Sequence, residues 1–221
     1  MELVNSLEFT TLRQFISPVE RFVALPGVIE GSGHLHVVCG DHGQRAGVIR
    51  TCIESLREAN GQTVVVDLGL SSRHLESQLG GHFGTEITVR TDIESFTQLL
   101  RCLMDMLEYK LDRMDLPLKL LVLDDLSVFH WDLLVDGTLE EEYTALAKIL
   151  QRLRHQFGTA IVTTSLGVEF ESGMTLKHHR HHQNKPVYCQ WSCIPPVFLQ
   201  QTHDIVLATD AGHLLWSNAS S

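Results

Sequence analysis

Three stretches of this sequence carry residues whose types and spacing could do chemistry. The first is Gly40-Asp41-His42-Gly43-Gln44-Arg45-Ala46-Gly47, which follows an apolar run and precedes an amphipathic one. Such a loop holds nucleotide when it reads G-x-x-x-x-G-K-[ST]: backbone amides wrap the phosphates, Lys reaches the β/γ oxygens and the hydroxyl binds Mg²⁺. Counted from Gly40, the last three positions hold Arg45, Ala46 and Gly47. The second glycine, the lysine and the hydroxyl are therefore all replaced. Arg45 could supply a charge, but no Ser or Thr stands beside it as a metal ligand.

The second stretch is Leu118 to Trp131, where an apolar run ends in Asp124-Asp125. In nucleotide-hydrolysing proteins with a phosphate loop, this strand carries the Asp that organises Mg²⁺. Leu68 and Gly69 follow Asp67, so no acid stands there to activate an attacking water. With the loop so altered, Asp124 and Asp125 read as polar residues at a strand end. The expectation is a protein with no catalytic residue, no cofactor and no metal.

The third stretch is the sharpest local composition in the chain: Leu176-Lys177-His178-His179-Arg180-His181-His182-Gln183-Asn184-Lys185-Pro186. Lys177, Arg180 and Lys185 supply charge, and no acid occurs between Glu171 and Asp204. One reading is contact with a nucleic-acid backbone, the His, Asn and Gln side chains adding hydrogen bonds and Tyr188 and Trp191 adding stacking. A second is a metal site shared with Cys189 and Cys193, although this spacing fits no closed zinc pattern. A third is a solvated loop with no ligand. Three fixed charges release few counterions, so any DNA affinity of this loop is modest and depends steeply on salt.

The elements that must position these stretches follow from periodicity. His34–Cys39, Thr63–Asp67, the apolar run from Leu118 into the Asp124-Asp125 pair and Thr159–Thr164 read as strands, with a shorter one over Thr85–Arg90. Between them lie helical patterns: Val48, Ile49, Cys52, Ile53 and Leu56; Ile93 to Leu111, capped by Thr91 or Asp92; and Leu139 to Leu153, ended by Gly158. The run from Trp131 to Leu139 reads as an acidic loop. A long aperiodic segment, Ser165 to His203, precedes two final strands, Asp204–Thr209 and His213–Ser217. The expected fold is α/β: a mostly parallel central sheet with helices on both faces and an antiparallel C-terminal hairpin. Residues 1–33 read as a lead-in, with a strand over Leu7–Thr11 and a short helix opened by Ser17-Pro18-Val19-Glu20 and running through Phe22 and Ala24. Residues 34–221 form the core.

Composition sets the outer bounds. The 221 residues are 43% hydrophobic and 20% charged, enough to bury a sizeable core, and the formal charge is −10. That balance excludes a protein that coats nucleic acid with its whole surface, so contact must be local or shared with a basic partner. Five cysteines, three of them in apolar segments, point to a reducing compartment. No secretory signal is expected from MELVNSLEFTTLRQF, and no apolar run reaches the length needed to span a membrane.

The blocks LLVLDDLSVF and TAIVTTS, with the long loop after the latter, together resemble the RecA recombinase core. The chain also resembles the larger RecA-like subunit of the fungal Shu complex, through MELVNSLEFTTLRQFISPVERFVALP, GHLHVVCGDHGQRAG, LVLDDLSVFHWD, ILQRLRHQFGTAIVTTSL and HDIVLATD. The likeness extends over nearly the full length and rests on hydrophobic pattern. It implies a RecA-like core without a functional phosphate loop, hence a non-catalytic recombinase paralogue in the nucleus. It further implies a heterodimer with a second RecA-like subunit, further Shu-complex subunits, and binding to single-stranded or forked DNA. The implied role is promotion of recombinase filament assembly in homologous recombination and error-free tolerance of DNA damage. In that family the strand corresponding to TAIVTTS leads into a second DNA-binding loop whose basic residues contact DNA, which maps onto Lys177, Arg180 and Lys185, with His178, His179, His181 and His182 between them. Two other readings stand beside it: a structural RecA-like subunit of an Elongator-type tRNA-modification assembly, and a divergent ATPase using Arg45.

Overall fold

The computed structural model describes residues 18–40, 42–69, 87–107, 117–167, 192–209 and 212–217. The expected strand at Leu7–Thr11, the capping Ser17 and the whole of Lys177–Lys185 lie outside the described residues, as do Tyr188, Cys189 and Trp191.

Among the described residues, seven strands form one sheet. In chain order they are β3 (His34–Cys39), β4 (Gln62–Asp67), β5 (Ile87–Arg90), β6 (Leu118–Asp124), β7 (Ala160–Leu166), β8 (Asp204–Thr209) and β9 (Gly212–Ser217), arranged β5-β4-β6-β7-β3-β8-β9. The first six are parallel, and β9 closes one edge antiparallel to β8. This is the expected mostly parallel sheet with a terminal hairpin. All seven residues of β6 are buried, as a strand covered on both faces requires. The middle position of the seven, however, belongs to β7.

Alternation along the strands divides the core into two layers. Val64, Val66, Leu121, Leu123, Ile161, Ile205 and Leu207 face a layer to which α2 (Phe96–Asp105), α4 (Leu139–Phe157) and α5 (Pro196–Leu199) contribute, together with the segment that follows β6. Leu35, Val37, Val65, Leu120, Val122, Val162 and Val206 face α1 (His42–Ser55) and a small antiparallel pair, β1 (Val23–Leu25) and β2 (Ile29–Ser32). Burial of apolar area at about 25 cal/mol per Å² is the main force holding the two layers to the sheet.

Three local expectations are corrected. The residues from Pro18 to Ala24 do not form a helix: Val23 and Leu25 enter β1, and both bury against α1 in the second layer. The Arg21 amide donates to the Gly158 carbonyl at 3.0 Å, and the Arg21 guanidinium reaches the Phe157 carbonyl, so tertiary contacts hold this segment extended. The cap of α2 is Ser95, whose side chain accepts from the Gln98 amide, while Asp92 is engaged by Arg90 at 2.6 Å. The segment after β6 is helical: a 3₁₀ turn, Leu126–Phe129, leads into α3 (His130–Asp136), which stops at Gly137 in the left-handed region at φ 70°. Leu133 anchors α3 in the core, and the acids that suggested a loop lie on its outer side.

Candidate functional site

Open α/β sheets bind ligands at the carboxyl ends of their strands, and here, among the described residues, a buried ion pair spans that edge. Arg45 projects from the first turn of α1 and is 1% exposed. Its Nε lies 3.0 Å from Asp124 Oδ1 and its Nη1 2.6 Å from Asp125 Oδ2, all three side chains being buried. The guanidinium thus crosses from the loop after β3 to the end of β6. A phosphate loop and its metal-organising acid would bring nucleotide and Mg²⁺ together there.

Further bonds close the same edge. Asp124 Oδ1 also accepts from the Thr164 hydroxyl at 2.6 Å. Asp125 Oδ1 accepts from the Ser127 amide at 2.8 Å and from the Ser127 hydroxyl. The Ser127 oxygen accepts in turn from the Leu166 amide at 3.2 Å. At the mouth of the loop the Gly40 amide donates to Gln44 Oε1 at 3.3 Å, so a backbone donor that could face an anion is satisfied by the loop's own side chain. Buried charges persist when paired and hydrogen-bonded, and both carboxylates meet that condition through Arg45, Thr164 and Ser127. The peptide joining Asp124 to Asp125 is cis.

The long aperiodic segment leaves from this edge. The Gly167 amide donates to the Cys39 carbonyl at 2.9 Å, and Gly167 forms an isolated bridge with Ser192. The outgoing and returning ends of the segment that carries Lys177, His178, His179, Arg180, His181, His182 and Lys185 are therefore fixed side by side, one bond away from the Asp125–Ser127 pair. The basic residues themselves lie outside the described residues, as does Cys189.

A second polar cluster, which the sequence did not single out, sits inside the sheet. His36 Nδ1 is 2.9 Å from the Thr163 hydroxyl and His36 Nε2 is 3.1 Å from the Ser165 hydroxyl, which reaches Ser192 at 3.0 Å. His34 lies beside it, and both rings meet Phe198 edge-on. Burial lowers the pKa of His36 to about 3, and burial, then His36, His203 and Arg154, lower that of His34 to about 3. Both are neutral core histidines. Alternation along β3, which puts His34 and His36 on the same face as Val38, was the available signal for them.

The family profile described as Shu complex component Psy3, DNA-binding, matches residues 9–211. The chain belongs to that Psy3 family. No curated protein matches it by sequence. Among solved structures, the Psy3-family chain is similar in fold to a KaiC-like protein of Pyrococcus horikoshii OT3, with TM-score 0.57 and 13% identity over 91% of this chain and 88% of the other. It is also similar to the RadB recombinase, with TM-score 0.53 and 13% identity over 84% and 75%. A third likeness is to an ATPase of the type III secretion system of pathogenic bacteria, with TM-score 0.52 and 12% identity over 92% and 64%. At such identities the likeness is one of fold, and the fold is RecA-like, as the sequence implied.

Proposed function

We propose that this chain is a non-catalytic recombinase paralogue that acts within a Shu-type complex. It pairs with a second RecA-like subunit and further Shu-complex subunits in the nucleus, binds single-stranded or forked DNA, and promotes recombinase filament assembly during homologous recombination and error-free damage tolerance. The observation that carries this reading is Arg45 bridging Asp124 and Asp125. A RecA-like edge closed by its own guanidinium has given the place of nucleotide to a side chain, which leaves binding and assembly as its work. The family's DNA-binding description gives the class of ligand.

In this reading Lys177, Arg180 and Lys185 contact the phosphate backbone, with His178, His179, His181 and His182 as hydrogen-bonding neighbours. The paired loop ends at Gly167 and Ser192 support it, because they fix where such a loop is presented. With a chain charge of −10, the partner subunit is expected to carry part of the positive surface.

The test is the DNA affinity of the purified heterodimer as a function of salt. Lys177→Ala with Arg180→Ala and Lys185→Ala lowers affinity and flattens the slope of log K against log salt, since each lost phosphate contact removes about 0.7 to 0.9 from that slope. Affinity and slope equal to wild type would remove the loop from the DNA site. Purification from the native cell tests the assembly: recombination factors support this reading, and tRNA-modification subunits would replace it with the Elongator-type one.

A further inference from the structure

On the outer side of the segment after β6, four large apolar side chains face solvent. They are Val128 on the 3₁₀ turn, exposed by 43%, and on α3 Trp131 by 57%, Leu134 by 48% and Val135 by 84%. Burial of Leu126, Phe129 and Leu133 is what anchors this segment, so the exposed four are surplus to its folding. Trp in particular concentrates binding energy when an interface covers it.

The relief around α3 suits an inserted chain. On one side is a groove of about 400 Å³ lined by Phe96, Phe129 and Val135, with Glu94, Asp132 and Asp136 at its lips. On the other side is a shallow trough of about 830 Å³ lined by Leu134 and Leu139, with Glu140 and Glu141 at its lip and Lys148 at its far end. Between Lys119 and Lys148 the sequence contains no Lys or Arg. Apolar centre and acidic rim therefore coincide on one face. A nucleic acid is repelled by that rim, and a second copy of this face would bring like charges together.

We propose that this face, centred on Trp131 and Val135, is a docking surface for a basic segment of a partner protein, one in which an aromatic or aliphatic anchor is flanked by Lys or Arg. The anchor enters the groove beside Val135, and the flanking cations lie over Asp132, Asp136 and Glu140. Charge complementarity makes association faster and salt-sensitive, while the apolar centre sets the lifetime of the complex. Docking at this face does not depend on the role of the Lys177–Lys185 loop.

The test places a photo-crosslinking residue at Val135 in the full chain, expressed in its native cell, and maps the crosslinked peptide. The expected product is a partner segment with Lys or Arg within four residues of an apolar anchor. A synthetic peptide of that segment is expected to bind the purified chain at least tenfold more weakly after Trp131→Ala, and again after Asp132→Lys with Asp136→Lys, with the thermal unfolding of both variants unchanged. Binding that survives both variants overturns the proposal. So does a crosslink to nucleic acid, to a second copy of this chain or to an acidic segment, or the absence of any protein crosslink.

Discussion

Replacing Arg45 by Met tests whether the strand-end edge is held by its own guanidinium. The substitution keeps most of the side-chain length and removes the charge, leaving Asp124 and Asp125 buried side by side without their guanidinium, while Thr164 and Ser127 still donate to them. Breaking a buried ion pair by removing one partner costs about 3–5 kcal/mol, most of it the uncompensated charge left behind. Against a total stability of about 5–15 kcal/mol for a domain, that is about a fifth or more. For a chain of this size each kcal/mol moves the melting temperature by about 2–4 °C, so a fall of roughly 6–20 °C is expected. Urea unfolding followed by circular dichroism gives the free energy, and a thermal scan gives the shift. The triple variant Arg45→Met, Asp124→Asn, Asp125→Asn removes the stranded charges and is expected to regain most of the loss. If Arg45→Met alone unfolds within about 1 kcal/mol of wild type, the guanidinium is not what closes this edge, and the non-catalytic reading loses its main support.

Mg-ATP at a hundredfold excess over a dissociation constant would stabilise a binding protein by about 2.7 kcal/mol. No rise in melting temperature is expected here, and one that disappeared with Asp124→Asn would restore the ATPase reading. The buried His34 and His36 give a pH dependence of definite sign. Their folded pKa values of about 3 lie below the ordinary 6.5, so their stabilisation is whole above pH 6.5 and is lost as the pH falls toward 3. Two such protons give a slope of roughly 3 kcal/mol per pH unit below about pH 6.5. Urea midpoints at pH 7.5 and pH 5.5 should differ accordingly, and equal midpoints would contradict neutral burial of this pair. Gly158 ends α4 at φ 65°, where a Cβ would also strike the Val19 carbonyl. Gly158→Ala is expected to cost more than about 1 kcal/mol in chemical unfolding, and a neutral result would mean the β1 segment is not packed against this cap.

Strong periodicity made most of the sheet legible. The apolar runs of β3, β4, β6 and β7, the helix from Leu139 to Phe157 with its Gly158 stop and the β8–β9 hairpin all stand where the pattern put them. Failures came where contacts distant in sequence outweighed local signals. A capping pattern at Ser17-Pro18-Val19-Glu20 suggested a helix, but Val23 and Leu25 alternate, and their burial against α1 selects a strand. Acids after Trp131 suggested a loop, although Gly137 carried the stop signal of a helix. At the site itself, the sequence could show that Arg45 replaces a glycine and that Asp124 and Asp125 end a strand. It could not show that residues eighty positions apart form one buried ion pair. The pair exists only because β3 and β6 flank the same central strand, which is a property of strand order.

The bridge from Arg45 to the two aspartates also bears on timing. A nucleotide is a ligand that arrives, is cleaved and departs, and each stage can set a different arrangement of the loops around it. A guanidinium attached to the chain has no dissociation constant and cannot be hydrolysed, so in the proposed reading this edge keeps one occupant. The Asp125–Ser127–Leu166 connection ties the root of the long loop to that ion pair. A subunit of the proposed kind would have no clock of its own, and its engagement with DNA would then be timed by the arrival and departure of its partners.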